Sequence, residues 1–240
     1  MVRVILEDMM NKYGWIIFSV VVVGLLGGLI IWARASNPTA DVSKVDNNSI
    51  LAASVDSGNI SDHIKGNKES KVLLVEYGDF QCPGCGSAYP NVKTLMEEYG
   101  DRVALVFRNF PLTSIHPNAK VASAAAESAG LQGKFWEMHD MLYENQEAWS
   151  NLATGERVDA FVTFASQLGL DTTKFTEDLT NPDVVKKVNF DLTLGKQNAV
   201  ASTPTFFLNG ETLDGTPAAK GIVQGDLTAI KAKLDALLTK

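Results

Sequence analysis

Cys82 and Cys85 enclose the dipeptide Pro83-Gly84 and are the only cysteines in the sequence. An internal disulfide must therefore join them to each other. The tetrapeptide follows an apolar run, Val72–Tyr77, and opens an amphipathic stretch. Strand, C-x-x-C, then helix is the layout of a thiol–disulfide redox site. Competing chemistries lack residues. A zinc site requires about four ligands, and His63, His116 and His139 are scattered. A Cu(I)-binding chaperone using the two thiolates has no convincing third ligand. A structural brace closing so short a loop would restrict the unfolded chain little. The expected redox group is the Cys82–Cys85 disulfide, with no metal and no separate cofactor.

Cys82 is placed at the start of a helix over Pro83–Tyr99, where unpaired N–H groups and the helix dipole favour an anion. That lowers its thiol pKa and makes it the attacking sulfur. Cys85 lies one turn inside, is expected to be more buried, and would resolve a mixed disulfide. Pro83 at the first helical position has a helix-ready φ and lacks an N–H where none is needed. Glu76 sits inside the apolar strand. It is either a buried acid with a raised pKa, suited to take the Cys85 proton, or a partly solvated edge residue. Thr203-Pro204 precedes a later strand; the dipeptide alone does not specify a cis bond.

Around these residues strand and helix alternate. Val72–Tyr77 reads as a central strand, and Val92, Leu95, Met96 and Tyr99 fall on one helix face, which Gly100 ends. Val103–Phe107 is a second strand, reached by a parallel crossover. A helical block spans about 115–199, with apolar stripes at Ala122/Ala125/Ala126/Ala129, Phe135/Met138/Leu142, Phe161/Phe164/Ala165/Leu168 and Val184/Val185/Val188/Leu192. Thr205–Leu208, the hairpin signal Asn209-Gly210, a return strand near Thr212–Leu213 and a helix bearing Leu227, Ile230, Leu234 and Leu237 complete the order. The expected fold is α/β: β-α-β, a helical insertion, then β-β-α.

The N-terminal region is of another kind. Gly14–Ala33 carries no charge and is flanked inside its ends by Trp15 and Trp32. A helix of that length spans the roughly 30 Å hydrocarbon core, and aromatic rings favour the interfaces. We read 14–33 as a transmembrane anchor after a cytoplasmic tail, 1–13. Ala33-Arg34-Ala35 loosely imitates a cleavage site, but the apolar run exceeds a usual signal core. Gly24 and Gly28 form a G-x-x-x-G, common in membrane helices. Arg3 and Lys12 on one side balance Arg34 and Lys44 on the other. The redox motif decides the orientation: its domain belongs outside the membrane, where disulfides form. Residues 34–71, rich in Ser, Asn, Asp and Gly, read as a linker with a short helical turn near Ser61–Ile64. The formal charge of −7 argues against nucleic acid as a partner.

The set Glu76, Phe80-x-Cys82-Pro83-x-Cys85, a helical insertion, and Thr203-Pro204-Thr205 before Phe206 and Asn209-Gly210 resembles the DsbA-like branch of the thioredoxin superfamily. The resemblance covers Val72–Leu238. It implies a thioredoxin fold with an inserted helical domain within 72–240, Cys82 as nucleophile, Cys85 as resolving cysteine and Glu76 as the buried acid beneath them. It implies a cis Pro204 facing the pair, and Thr203, with Pro83 and Gly84, as substrate-binding residues. The implied activity is introduction of disulfides into exported proteins by a single-pass, membrane-embedded enzyme that a quinone-linked membrane partner reoxidises. Gly84 departs from the family's best-known members, which carry His there; a less oxidising pair is expected. Thr203 stands where strong oxidases often have Val. It also resembles the isomerases, whose dimerisation domain this chain has no room for. A reductase or isomerase using the same pair is the alternative. His116, after the second strand, is a candidate neighbour of the site or a solvated loop residue. Phe135, Trp136 and Trp149 are core residues by default and groove candidates otherwise.

Overall fold

A computed structural model describes residues 18–20, 22–24 and 40–239. It divides into two units, Met1–Thr39 and Ala40–Lys240. In the first, residues 18–20 and 22–24 are helical. The rest of the expected anchor (14–33), the tail 1–13 and the start of the expected linker lie outside the described residues. Among the described residues no helix is long and apolar enough to cross a membrane.

The second unit is an α/β fold around a mixed five-stranded sheet. Its strands are β1 (His63–Gly66), β2 (Leu73–Gly78), β3 (Ala104–Asn109), β4 (Thr205–Leu208) and β5 (Glu211–Thr212), in the order β1-β3-β2-β4-β5. β2 and β3 run parallel, joined by helix α1 (Pro83–Tyr99). The β1–β3, β2–β4 and β4–β5 pairs are antiparallel. The helical insertion holds α2 (Ala119–Gly130), α3 (Phe135–Glu144), α4 (Gln146–Trp149), α5 (Thr154–Gln167), α6 (Thr172–Asp178) and α7 (Pro182–Gln197). Helices α8 (Pro217–Gln224) and α9 (Thr228–Leu238) follow β5.

Central position explains the apolar β2. Its side chains alternate between two buried faces. Leu73, Val75 and Tyr77 pack with Val106, Phe110 and Phe207, whereas Leu74 packs with Val92 and Leu95 of α1. Glu76 shares the period of Leu74 and is therefore directed into a buried layer. A further core joins the insertion to the redox motif: Phe80, Cys82, Cys85 and Phe107 pack with Phe135, Met138, Leu142, Trp149 and Phe161. The hairpin turn has Asn209 at φ 48° and Gly210 at φ 82°, the left-handed values that its Asn-Gly signal requires. The return strand pairs one residue earlier than expected, at Glu211–Thr212.

Residues 40–71 correct the linker reading. Ser61–Ile64 is not a helical turn, because His63–Gly66 forms the edge strand β1. Val42, Asn47, Ser57, Ile60 and Asp62 are buried. Asp62 accepts from Arg108 Nη2 at 2.8 Å and from Lys187 Nζ at 3.1 Å, and Lys187 also reaches Asp191 at 2.8 Å. Lys187 and Asp191 lie on α7 and are almost fully buried, whereas Val185 and Leu192 of the expected stripe are only partly so. The polar composition of 40–71 concealed a segment tied to the domain by buried ion pairs as well as by β1 pairing and by apolar contacts of Val42, Ile50, Ile60 and Ile64.

Candidate active site

The site forms where β2 ends and α1 begins. The turn between them is held by Asp79, which is fully buried. Its carboxylate accepts from the N–H groups of Gln81 and Leu112, each at 2.8 Å, and contacts His116 Nδ1 at 2.7 Å. Its carbonyl accepts from Cys82 N–H at 3.0 Å. Cys82 is the N-cap residue of α1, with Pro83 following at the start of the helix. Cys85, one turn on, is completely buried and its sulfur accepts from Asp79 N–H at 3.5 Å. Cys82 is 8% exposed, and both cysteines are free thiols in this structure.

The loop before β4 completes the site. The Thr203–Pro204 bond is cis, and the Cys82 thiol donates to the Thr203 carbonyl at 3.3 Å. A methyl group placed on Gly84 would lie 3.3 Å from Pro204 Cδ and 3.6 Å from Cys82 Sγ. Gly84 thus leaves open the space between nucleophile and cis-proline. Pro83 is exposed at its side. A groove of about 500 Å³ runs past Pro83, Gly86 and Ser87 against Tyr143–Ala148.

Electrostatics divide the two sulfurs. The Cys85 thiol, hydrogen-bonded to the Cys82 sulfur, draws the Cys82 pKa down from 9.0 to about 5. Burial opposes this; Thr203 and the N–H groups of Cys85 and Gly84 add to it. The carbonyl and the hydroxyl of Thr203 bear on the sulfur in opposite senses. Donation from the thiol to the carbonyl favours keeping the proton, so it cannot be the stabilising one. The Thr203 hydroxyl is buried without a partner, and it can turn to donate to the thiolate. Burial pushes Cys85 well above the ordinary thiol value. Glu76, 3% exposed, is raised from 4.5 to about 8 by burial and then by the charge of Cys82. A carboxyl in that state holds its proton at neutral pH.

The structure therefore brings together Cys82, Cys85, Glu76, Thr203, Pro204, Pro83 and Gly84. Glu76 is not an edge residue. His116 meets Asp79 rather than either sulfur. Phe135 and Trp149 are core; Trp136 is partly buried over the Glu76 layer. Two organising residues carried no sequence signal that we read. Asp79 accepts from a residue two positions on, a pattern common to Asp before a turn. Gln146 of α4 donates to the carbonyls of Phe80 and Cys82 at 2.7 and 2.9 Å, and nothing local announces that contact.

A family profile described as thioredoxin matches residues 58–224. The chain belongs to the thioredoxin family. A thioredoxin-like oxidoreductase from Silicibacter pomeroyi DSS-3 is 25% identical, with a TM-score of 0.56, over 75% of this chain and 99% of that one. Oxidised BdbD from Bacillus subtilis has a TM-score of 0.62 at 19% identity, over 80% of this chain and 100% of its own. MdbA from Corynebacterium diphtheriae, a thiol-disulfide oxidoreductase, has a TM-score of 0.56 at 20% identity, covering 79% and 99%. The last two likenesses show a shared fold. Among curated proteins, the chain is 41% identical over 65% of its length to a Na(+)/H(+) antiporter, NhaA 1, of Salinispora arenicola, and 33% identical over 86% to an NhaA antiporter of Herminiimonas arsenicoxydans. It spans only 22% and 31% of those proteins.

Proposed function

We propose that this family member is a thiol–disulfide oxidoreductase that introduces disulfides into other proteins through Cys82 and Cys85. The observation that carries the reading is the asymmetry of the pair. Cys82 is drawn to about 5 beside the cis-Pro204 loop, while Cys85 is buried and held protonated. A substrate thiolate attacks Cys82 Sγ of the oxidised pair; the disulfide breaks and Cys85 leaves with the electron pair, taking a proton from Glu76. A second substrate thiolate then attacks the substrate sulfur of the mixed disulfide. Cys82 leaves as a stabilised thiolate and the substrate carries the new disulfide. Stabilising that thiolate favours the dithiol form of the enzyme, hence oxidation of the substrate. The groove beside Pro83 and the Thr203 backbone are suited to an extended substrate chain.

The same residues can run in the reductive or isomerising direction, and the potential decides. Equilibration of the protein with glutathione buffers measures it. A value near −270 mV, about that of thioredoxin, would overturn the oxidase reading. A Cys85→Ser variant should trap substrates on Cys82 in cells.

We further propose that 14–33 anchors the domain in the cell membrane with residues 72–240 outside the cytoplasm, where exported proteins are its substrates and a quinone-linked membrane protein reoxidises it. The uncharged run between Trp15 and Trp32 supports this. Protease shaving of spheroplasts that leaves the domain intact would overturn it. The antiport named for the curated relatives is not proposed here, since the chain spans less than a third of either.

A further inference from the structure

Asp79 is a fully buried carboxylate that the exchange steps leave unused. Burying a charge is costly unless it is hydrogen-bonded, and an uncharged Asn can close a turn of this kind. The contacts of Asp79 converge on the redox pair. Oδ1 accepts from the Gln81 N–H and Oδ2 from the Leu112 N–H, each at 2.8 Å. His116 Nδ1 approaches Oδ2 at 2.7 Å, a contact in which the ring nitrogen donates. The peptide carbonyl accepts from the Cys82 N–H at 3.0 Å. The peptide N–H donates to Cys85 Sγ at 3.5 Å, and no other peptide N–H among the described residues donates to that sulfur.

The carboxylate joins segments far apart in the chain: the turn that leads from β2 into the cysteines, and the loop 110–118 between β3 and α2. His116 closes the outer end, with 15% of its side chain exposed against none of Asp79. Gln81 ties the same loop independently. It accepts from the Asn118 N–H and donates to the Ser150 carbonyl, each at 2.7 Å. Losing the His116 contact should therefore loosen Asp79 without detaching the loop. Hydrogen bonds to a carboxylate are about twice as strong as those between neutral groups. A carboxylate held by several donors fixes the backbone of its own residue, and with it the direction of the N–H.

We propose that Asp79, held by His116, aims its peptide N–H at the Cys85 sulfur as that sulfur leaves, and so speeds thiol–disulfide exchange in both directions. A substrate thiolate bonds to Cys82 Sγ, the Cys82–Cys85 bond breaks, and its electron pair goes to Cys85 Sγ. The Asp79 N–H then faces a sulfur that carries negative charge. In the disulfide and in the thiol the same sulfur is neutral and a weak acceptor. The bond gains strength in the transition state, where added strength raises the rate. In the reverse direction the same N–H steadies Cys85 as it attacks the mixed disulfide. The Asp79 amide touches a reacting atom; its carboxylate and His116 act through that amide and are positioning groups.

The inference rests on the oxidoreductase reading and can fail separately from it. Oxidised full-length protein is mixed with reduced glutathione, and reduced protein with oxidised glutathione. Acid-quenched samples are resolved by mass, and the equilibrium constant is measured in the same buffers. Removing a donor from an oxyanion hole slows enzymes roughly 100- to 1,000-fold. Here the acceptor is a sulfur and the donor is turned rather than lost, so Asp79→Asn should slow both directions about tenfold. Its amide nitrogen must face an N–H donor on one side or the other, which tilts the residue. His116→Phe should slow both directions by a smaller factor. His116→Asn, whose amide nitrogen takes the place of Nδ1, should recover most of the rate. The equilibrium constant should stay near the wild-type value throughout, because an interaction confined to the transition state leaves the end states alone. Should Asp79→Asn not fold, the two His116 variants decide. Faster exchange in Asp79→Asn, unchanged rates in both Asp79→Asn and His116→Phe, or an equilibrium constant that moves as far as the rate would each overturn the inference and leave the oxidoreductase standing. If wild-type protein does not exchange with glutathione, both fall.

Discussion

The Cys82 sulfur lies 3.3 Å from the Thr203 carbonyl oxygen, and the Thr203 hydroxyl beside it has no hydrogen-bond partner. The residue before the cis-proline thus offers a carbonyl to the thiol and a hydroxyl to the thiolate. Thr203→Val removes the second and keeps the first. A hydrogen bond to a charged group contributes about 1.5–3 kcal/mol, so the Cys82 pKa should rise from about 5 to roughly 6–7. The ultraviolet absorbance of the thiolate reads this directly. The reduction potential should fall by about 30–60 mV.

Gly84→His tests the departure from the histidine-bearing members of the family. A Cβ at this position meets Pro204 Cδ at 3.3 Å, so the loop must yield by a few tenths of an ångström. An imidazolium there lies close to the thiolate. The Cys82 pKa should fall below about 5 and the potential should rise. A rise in pKa would show that crowding of the loop outweighs the added charge.

Glu76 and Cys82 oppose each other in the pH dependence of stability. Glu76 is raised from 4.5 to about 8, so the stability it confers is full below 4.5 and lost as pH rises through 8. Cys82 is lowered from 9.0 to about 5, so the reduced protein gains stability as pH rises from 5 towards 9. Across pH 5–8 the two largely offset in the dithiol form. Glu76→Gln leaves only Cys82. Reduced Glu76→Gln protein should therefore grow more stable across this range, by at most about 1.4 kcal/mol per pH unit. Urea melts at successive pH values measure it; a flat profile would contradict the assignment.

Gln146→Ala leaves the carbonyls of Phe80 and Cys82 without their side-chain donor. It should cost about 1–3 kcal/mol and loosen the turn that carries Cys82. Denaturant unfolding gives the first effect. Faster alkylation of Cys82 gives the second.

Asp62→Ala leaves Arg108 and Lys187 buried without one of their carboxylates. Breaking a buried pair from one side costs about 3–5 kcal/mol. The same loss should free 40–66 for proteolysis before the rest of the domain unfolds. Unchanged protease resistance would show that β1 pairing and the apolar contacts of Val42, Ile50 and Ile60 hold the segment without the ion pairs.

The sequence by itself determined the reacting pair and the elements from β2 onward, but not the edge strand β1. Period-2 and period-3.6 apolar patterns specify which segments become strand or helix, because burial of one face is a local property of the chain. Cys82 and Cys85 are neighbours in any fold, so their pairing was legible, as was the Asn209-Gly210 turn. The tertiary structure decided whatever depends on partners distant in the chain. Asp62, Arg108, Lys187 and Asp191 look like surface charges until the fold sets them against one another. Residues 40–66 look like a tether for the same reason. The Cys82 pKa, the burial of Glu76 and the reach of Gln146 into the site depend on β2 being central and on α3 and α4 packing over it. Patterns along a chain report which side of an element is buried; they do not report what covers it.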